Sequence, residues 1–480
     1  VSAPVSPRPF TPLEPGTPEA VWLADPRWED VPVVAPAALG AERLVVLAAH
    51  PDDETLGVGA LVAHLAPELA AAAGSLTVVL ATDGSASHPD SALWSPHRLG
   101  ELREREFRHA VDLLAPGASI ATLGLADGTL ADDPGLLRER VAEALGPADA
   151  SGRAREVLLA PYAADGHPDH DTLGAVAAEL ARARGSRLWY YPIWLWHWAH
   201  PDEFPWARAL AVPPSAAALH AKAAAIAAHR SQVAPLSPLP GDEALLPPHV
   251  LARFARVTET LIAGDDDGQR PDPAGAEADR RDRRRSDFDA MLADTDDPWD
   301  AASWYERRKH ALTVALRTRE RYAEVLEIGC ATGALTTLLA GCADHVTAVD
   351  GSASALAVAR RRDLPGVTWL QAEVPYDLAA LAGLPVGSAD LVVISEVAYF
   401  LTGTEFLALL RAARRALRPG GEIALIDWRR GSADLPLDGD LAHAQAKTAL
   451  ADLPHRLSYR DDSIRADVWG GAPLTPGERR

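Results

Sequence analysis

Between Gly264 and Ser286 the chain loses nearly everything a fold could bury. Asp-Asp-Asp, Pro-Asp-Pro and Arg-Arg-Asp-Arg-Arg-Arg follow with no apolar run between them. Such a stretch cannot offset the entropy of ordering it, so it reads as a solvated linker. On both sides, short apolar runs alternate with Ala/Leu-rich stretches. That alternation predicts parallel sheets covered on both faces by helices. Before the linker, strands are expected at Leu44–Ala49, Leu76–Ala81, Ile120–Leu125, Val157–Ala160 and Leu188–Trp196. Helices are expected at Thr55–Leu65, Pro96–Leu114, Gly135–Leu145 and Asp171–Arg184. After the linker, strands are expected near Glu324–Ile328, His345–Asp350, Thr368–Gln371, Leu391–Ser395 and Glu422–Asp427. The expected fold class is α/β, with two doubly wound, mostly parallel-sheet domains joined by a charged linker. The boundaries read as an irregular proline-rich arm at 1–40, a first domain at 41–263, the linker at 264–287 and a second domain at 288–480.

Composition then excludes partners. A net charge of −21 argues against nucleic acid, whose phosphates need a basic surface. No run of apolar residues is long enough to span a membrane, and residues 1–31 lack the charged start and apolar core of a signal peptide. Cys330 and Cys342 have neither metal-ligand spacing nor the look of a disulfide framework, so a reducing cytoplasm is expected.

The chemistry gathers at strand ends. His50-Pro-Asp-Asp-Glu54 follows the first apolar run, and Asp165-Gly-His-Pro-Asp-His170 follows the run Val157–Ala160. Both tracts should emerge on one edge of the sheet, where open α/β folds place their ligands. His50, Asp53 and His170 supply two histidines and a carboxylate for a metal, Zn2+ or Fe2+, with a fourth position left for water. Asp52 is the spare carboxylate to deprotonate that water, and His167 is the group to meet the oxyanion or the leaving amine. Either tract alone is also an ordinary turn signal; two such polar clusters at strand ends of one α/β unit are not. The dense aromatic stretch from Trp189 to Trp198 offers faces for a sugar, but core packing of an edge strand is the expected use of most of it.

These residues resemble the PIG-L/LmbE-type N-acetylglucosaminyl deacetylases. The resemblance runs from about Arg43 to Ile262 and also takes in Thr82-Asp-Gly84, Leu123-Gly-Leu-Ala-Asp-Gly128, Arg103 with Glu106, and His229-Arg-Ser-Gln232. It implies the same metal set, His50, Asp53 and His170, with Asp52 as general base and His167 stabilising the transition state. It also implies that Arg103 and Asp127 lie near the sugar.

Beyond the linker, Val325-Leu-Glu-Ile-Gly-Cys-Ala-Thr-Gly333 reads as strand, glycine turn and helix start. Gly329 and Gly333 let backbone approach a ligand, and Asp350, about 20 positions on, suits ribose hydroxyls. A dinucleotide site would prefer G-x-G-x-x-G, and no glycine stands between these two. With Glu327, the pattern resembles class I S-adenosylmethionine-dependent methyltransferases, which implies Glu373 near the adenine. Asp297-Pro-Trp299, Trp304-Tyr-Glu-Arg-Arg-Lys309 and Ser395-Glu-Val-Ala-Tyr-Phe400 further resemble the nodulation-type N-methyltransferases, which methylate the free amine of a deacetylated glucosamine unit. That likeness implies Trp299 and Lys309 near the donor, Lys309 standing where a relative can carry Arg. Glu396, at the expected carboxyl edge, could orient or deprotonate an acceptor amine.

Deacetylation exposes a primary amine and N-methylation consumes one, so the halves read as consecutive steps on an amino-sugar conjugate. The competing expectation is a deacylase for another N-acyl group joined to an O-methyltransferase.

Overall fold

The computed structural model describes residues 14–147, 156–264, 284, 286, 288, 290–292, 295–375, 387–429 and 435–471. They fall into two compact units that meet in sequence at residues 273 and 274. Each unit is built on a seven-stranded, mostly parallel sheet alternating with helices.

In the first unit the strands are β1 (Arg43–Ala48), β2 (Ser75–Thr82), β3 (Ser119–Leu125), β4 (Glu156–Pro161), β5 (Arg187–Tyr191), β6 (Ala209–Val212) and β7 (Glu259–Ala263). Their order is β3-β2-β1-β4-β5-β7-β6. β1 to β5 pair in parallel, while β7 runs antiparallel to β5 and β6. Leu44, Val45, Val46 and Leu47 of β1 are fully buried, as a central strand covered on both faces must be. The chain winds outward from β1 to β3 and then returns to the other side of β1 as β4. The gap beyond the carboxyl ends of β1 and β4 is therefore the switch point of the sheet.

Three expectations need correction here. The strand expected at Leu188–Trp196 ends at Tyr191, and Leu195–Trp198 is a helical turn. It is also an interior strand, between β4 and β7, so no edge lies there. Residues 14–40 of the expected irregular arm carry the helix Glu19–Ala24 and the 3-10 turns Pro26–Asp30 and Pro36–Leu39. Trp22, Trp28, Val34 and Leu39 from this segment join the buried core, and Arg256 pairs with Glu19 at 2.7 Å. Proline spacing reads as irregular; the tryptophans between the prolines decide the outcome by packing against Trp196 and Phe204.

The second unit holds β8 (Tyr322–Ile328), β9 (Ala343–Asp350), β10 (Val367–Gln371), β11 (Ala389–Ser395), β12 (Leu417–Trp428), β13 (His455–Arg460) and β14 (Ile464–Gly470). The order β10-β9-β8-β11-β12-β14-β13 repeats the winding of the first sheet, with its switch point between β8 and β11. The final pair is antiparallel. β13 is exposed along most of its length, the solvated edge strand that leaves no apolar run to read in a sequence.

Candidate active sites

His50 leaves β1 and enters a turn in which Asp52 takes the strained backbone pair φ 152°, ψ −21° just before the helix Asp53–Ala71. Asp53 Oδ2 accepts the Ala49 and His50 amides, each at 2.9 Å, which locks the carboxylate under the turn. After β4, His170 rises in the first turn of the helix Pro168–Arg184. His50 Nδ1 and His170 Nε2 then stand 3.1 Å apart. Asp53 lies 3.6 Å from the first through Oδ2 and 3.3 Å from the second through Oδ1.

The outer nitrogens are held by carboxylates. Asp165 Oδ2 is 2.7 Å from His170 Nδ1, and Asp127 Oδ1 and Asp169 Oδ2 are 3.1 and 3.2 Å from His50 Nε2. Each carboxylate anchors one ring by its outer nitrogen, and against burial the surrounding carboxylates raise both imidazoles, His170 to about 9, so a bound cation would displace protons from the facing nitrogens to reach their lone pairs beside Asp53. Two lone pairs and a carboxylate around one point are what a divalent cation satisfies, and the donor set fits one. His50 also converges with His167 and His170, and it borders a carboxylate group, Asp127 with Asp169. Those carboxylates already accept backbone amides from Ala86, Gly128 and Leu130, so they serve as anchors of the ring.

The remaining groups sort by environment. Asp52 is buried, and burial together with the charge of Asp53 lifts its pKa to about 6 against the pull of Arg103. Burial, with His170 and His50 beside it, drops His167 to about 3, a neutral imidazole. Its Nδ1 accepts the Asp169 amide at 3.3 Å, which leaves Nε2 to carry the proton. Asp53 stays ionised despite its burial, because His170 and His50 hold its carboxyl well below the usual range.

A cleft of about 650 Å3 opens over this floor, with Leu56, Ile193, Trp194 and Leu246 in its walls. Arg103 and Asp127, expected near a sugar, both line it, but much of their polar reach is spent inside the protein. Arg103 Nη2 donates to Pro51 O and to Asp52 Oδ2 at 3.2 Å, and Nη1 to Gly84 O at 2.9 Å. Gly84, at φ +67°, is needed there, since a Cβ would stand 2.3 Å from Nη1. Asp52 is thus ion-paired, where the sequence left it without a partner. Trp189, Tyr191 and Trp196 are core residues, and Trp194 alone of the aromatic stretch lines the cleft. Asp165 and Asp169, which orient both histidines, were not singled out from the sequence. Their place in the same six-residue tract as His170 was the available signal.

In the second unit a cavity of about 200 Å3 lies outside β8 and β11. Trp299, Lys309, Gly329, Asp350, Glu373 and Glu396 all line it. Asp350 accepts the Ser352 and Ala331 amides, both at 2.8 Å, and so pins the glycine turn. Lys309 Nζ is 2.7 Å from Glu306 and 3.8 Å from Glu396. Two expected residues lie outside the wall. Glu327 is buried behind the turn, where burial pushes its pKa to about 8. Gly333, at φ +78°, leaves room for packing, because a Cβ would meet the Trp369 ring at 2.7 Å. Arg284, expected in the solvated linker, lines the cavity and donates to Glu373 and to the Phe400 carbonyl, both at 3.2 Å.

Glu396 has the most unusual setting. It follows β11 with φ +60°, a conformation rare outside glycine. The Tyr399 hydroxyl donates to Oε2 at 2.7 Å, and Oε1 is buried with no partner among the described residues. Burial, with the nearby Asp427 charge, raises its pKa to about 7 against the opposing effect of Lys309.

Known proteins match each half separately. Residues 45–181 match the family model described as GlcNAc-PI de-N-acetylase, PIG-L, and residues 325–421 match one described as a methyltransferase domain. Nodulation protein S of Rhizobium tropici is 32% identical over 134 residues, 27% of this chain and 53% of that protein. A ubiquinone biosynthesis O-methyltransferase of Xanthomonas oryzae pv. oryzae is 30% identical over 159 residues, 32% of this chain and 65% of its own. The chain thus spans between half and two thirds of these curated relatives. The crystal structure of N-methyltransferase NodS from Bradyrhizobium japonicum WM9 in complex with S-adenosyl-l-homocysteine is 20% identical, covers 39% of this chain and 98% of its own, and has a TM-score of 0.34. This chain therefore joins a PIG-L domain at residues 45–181 to a methyltransferase domain whose matched core is residues 325–421.

Proposed function

We propose that the chain is a bifunctional enzyme. Its first domain removes the acetyl group from an N-acetyl amino-sugar conjugate, and its second methylates the exposed amine with S-adenosylmethionine. The observation that carries the first half is the convergence of His50 Nδ1, His170 Nε2 and Asp53 beside an ion-paired Asp52. A Zn2+ or Fe2+ held by the three would acidify a water molecule and polarise the amide carbonyl.

The chain's own groups supply the rest. Asp52, with a pKa near 6, is ionised at neutral pH yet basic enough to take a proton from the attacking water. Arg103 keeps that carboxylate in place through its 3.2 Å contact. His167, neutral and protonated on Nε2, offers a hydrogen bond to charge that develops on the carbonyl oxygen. Asp127 and Asp169 hold His50, and Asp165 holds His170, so the rings need no reorganisation during the reaction.

In the second domain the sulfonium donor supplies an electrophilic methyl group. Asp350 and Glu373 at one side of the cavity suit the donor's hydroxyl and amino groups, and Trp299 and Lys309 stand on the wall with them. Glu396, with an unspent buried oxygen and a pKa near 7, suits an amine that must lose a proton. The partners of this reading are small molecules, with no nucleic acid or membrane. No described helix is long and apolar enough to cross a bilayer. Both buried cysteines are free, which suits a reducing cytoplasm.

A second reading is favoured by the O-methyltransferase among the relatives. In it the first domain deacylates another N-acyl group and the second methylates a hydroxyl. Mass spectrometry of N-acetylated amino sugars incubated with and without the methyl donor separates the two. Loss of acetyl followed by N-methylation supports the first reading, and a methyl on oxygen supports the second.

A further inference from the structure

Behind Glu396 lies a line of buried acids and imidazoles that the reaction described so far does not use. Ser395 of β11 pairs with Ile426 of β12, and the Glu396 amide donates to Ile426 O at 2.8 Å. Glu396, just past the end of β11, and Asp427, near the end of β12, therefore stand on neighbouring strands at the carboxyl edge of the sheet. Asp427 is wholly buried, and neither of its oxygens has a partner of full hydrogen-bond geometry among the described residues. The Nε2 of His443 stands 3.4 Å from it, and the Ala398 amide acts on it from the turn that carries Tyr399. His443, on the helix Gly439–Ala449, is also wholly buried, and its Nδ1 is 2.5 Å from Asp467 Oδ2 on β14. Asp467 Oδ1 is in turn 2.7 Å from Nε2 of His455, whose side chain is 34% exposed on β13. Close contacts thus link Asp427, His443, Asp467 and His455 out to solvent, and at the cavity end the Asp427 charge acts on Glu396.

We propose that Asp427, His443 and Asp467 form a proton relay that drains the acceptor end of the methyl-transfer site, with His455 as its exit. The inference rests on the reading of the second domain as an N-methyltransferase. When the sulfonium methyl moves to the amine, the C–S bonding pair stays on sulfur and the nitrogen lone pair forms the new C–N bond. At neutral pH the amine arrives as an ammonium ion and must first release one N–H proton to free that lone pair, and the methylated nitrogen then keeps the positive charge. Glu396 Oε1, buried and unspent, receives the released proton. Asp427 passes it to His443 Nε2, and His443 gives up its Nδ1 proton toward Asp467 and His455, which restores Glu396 for the next turnover. Asp427, His443 and Asp467 are positioning residues in this scheme, since none of them lines the cavity.

Against its burial, His443, Ser458 and His455 hold the Asp467 carboxyl well below the usual range, so a proton crosses it only transiently on the way to His455. Burial disfavours the His443 imidazolium, but Asp427 and Asp467 together raise its pKa. Asp427 is itself raised by burial, with Lys309 and His443 opposing. Arg465 on β14 contacts Asp467 at 3.2 Å, and Tyr399, in the turn that packs on the His443 helix, faces Asp427.

The test uses the full chain with histidine ring labels, His443 being assigned by loss of its signal in His443→Gln. The relay predicts that Asp427→Asn and Asp467→Asn each lower the His443 titration midpoint by about one pH unit or more, and that Glu396→Gln moves it measurably. It also predicts that His443→Ala lowers kcat for amine methylation about tenfold or more. In that variant S-adenosylhomocysteine affinity should be unchanged and added imidazole should restore part of the rate, which a packing defect would not show. A His443 midpoint indifferent to both Asp427→Asn and Glu396→Gln, or a full methylation rate in His443→Gln, would overturn it. If the wild-type chain methylates hydroxyls and no amine, the N-methyltransferase reading fails, and the NMR titration still decides whether the relay exists.

Discussion

Asp52 and Asp53 are adjacent carboxylates with opposite environments. Asp53 accepts two backbone amides and faces two imidazoles, while Asp52 meets Arg103 and the cleft. Asp52→Asn should therefore keep its metal and lose about 10²–10⁴ in deacetylation rate, the range for removing a general base. Metal analysis beside kinetics checks this; loss of metal in that variant would exchange the roles of the two residues. His170→Ala should strip the metal and abolish deacetylation, with S-adenosylhomocysteine binding by the second domain unchanged in calorimetry. Glu396, at about pKa 7, must be ionised to accept a proton. Methylation should thus be full above pH 7 and fall as pH drops through 7. Glu396→Gln should abolish that limb of the pH–rate profile along with most of the activity. The groups that face a ligand were legible because they sit in contiguous tracts at strand ends. Asp165 and Asp427 were not, because each acts on a histidine that only folding brings to it: Asp165 through a helix turn, Asp427 across to residue 443.

At the scale of elements, the parallel strands β1, β2, β4, β8 and β11 could be read because each carries a short buried run rich in apolar residues. β6, β7, β13 and β14 were missed. β6 spans four residues and β13 is largely exposed, so neither carries a pattern longer than a turn. The segment 14–40 shows packing overriding local composition. Trp22 is fully buried, stands edge-on to Trp196 at 4.9 Å, and donates its indole N–H to the Trp196 carbonyl at 2.9 Å. Trp22→Ala should destabilise the first domain by about 3–5 kcal/mol, as large-to-small core changes do. Chemical denaturation followed by tryptophan fluorescence would read this, and an unchanged midpoint would mean that the segment is dispensable.

For the whole molecule, the two chemistries impose an order. An amide nitrogen has its lone pair delocalised into the carbonyl and is a poor nucleophile toward a sulfonium methyl. The methyltransferase domain should therefore ignore the acetylated substrate. Asp350→Ala, which releases the glycine turn at Ala331 and Ser352, should let unmethylated amine accumulate. The most direct test supplies an Asp52→Asn chain with an N-acetylated amino-sugar conjugate and isotope-labelled S-adenosylmethionine, and follows the products by mass spectrometry. The account predicts no labelled product until the free amine is added, and then label on nitrogen. Efficient labelling of the still-acetylated sugar would contradict it.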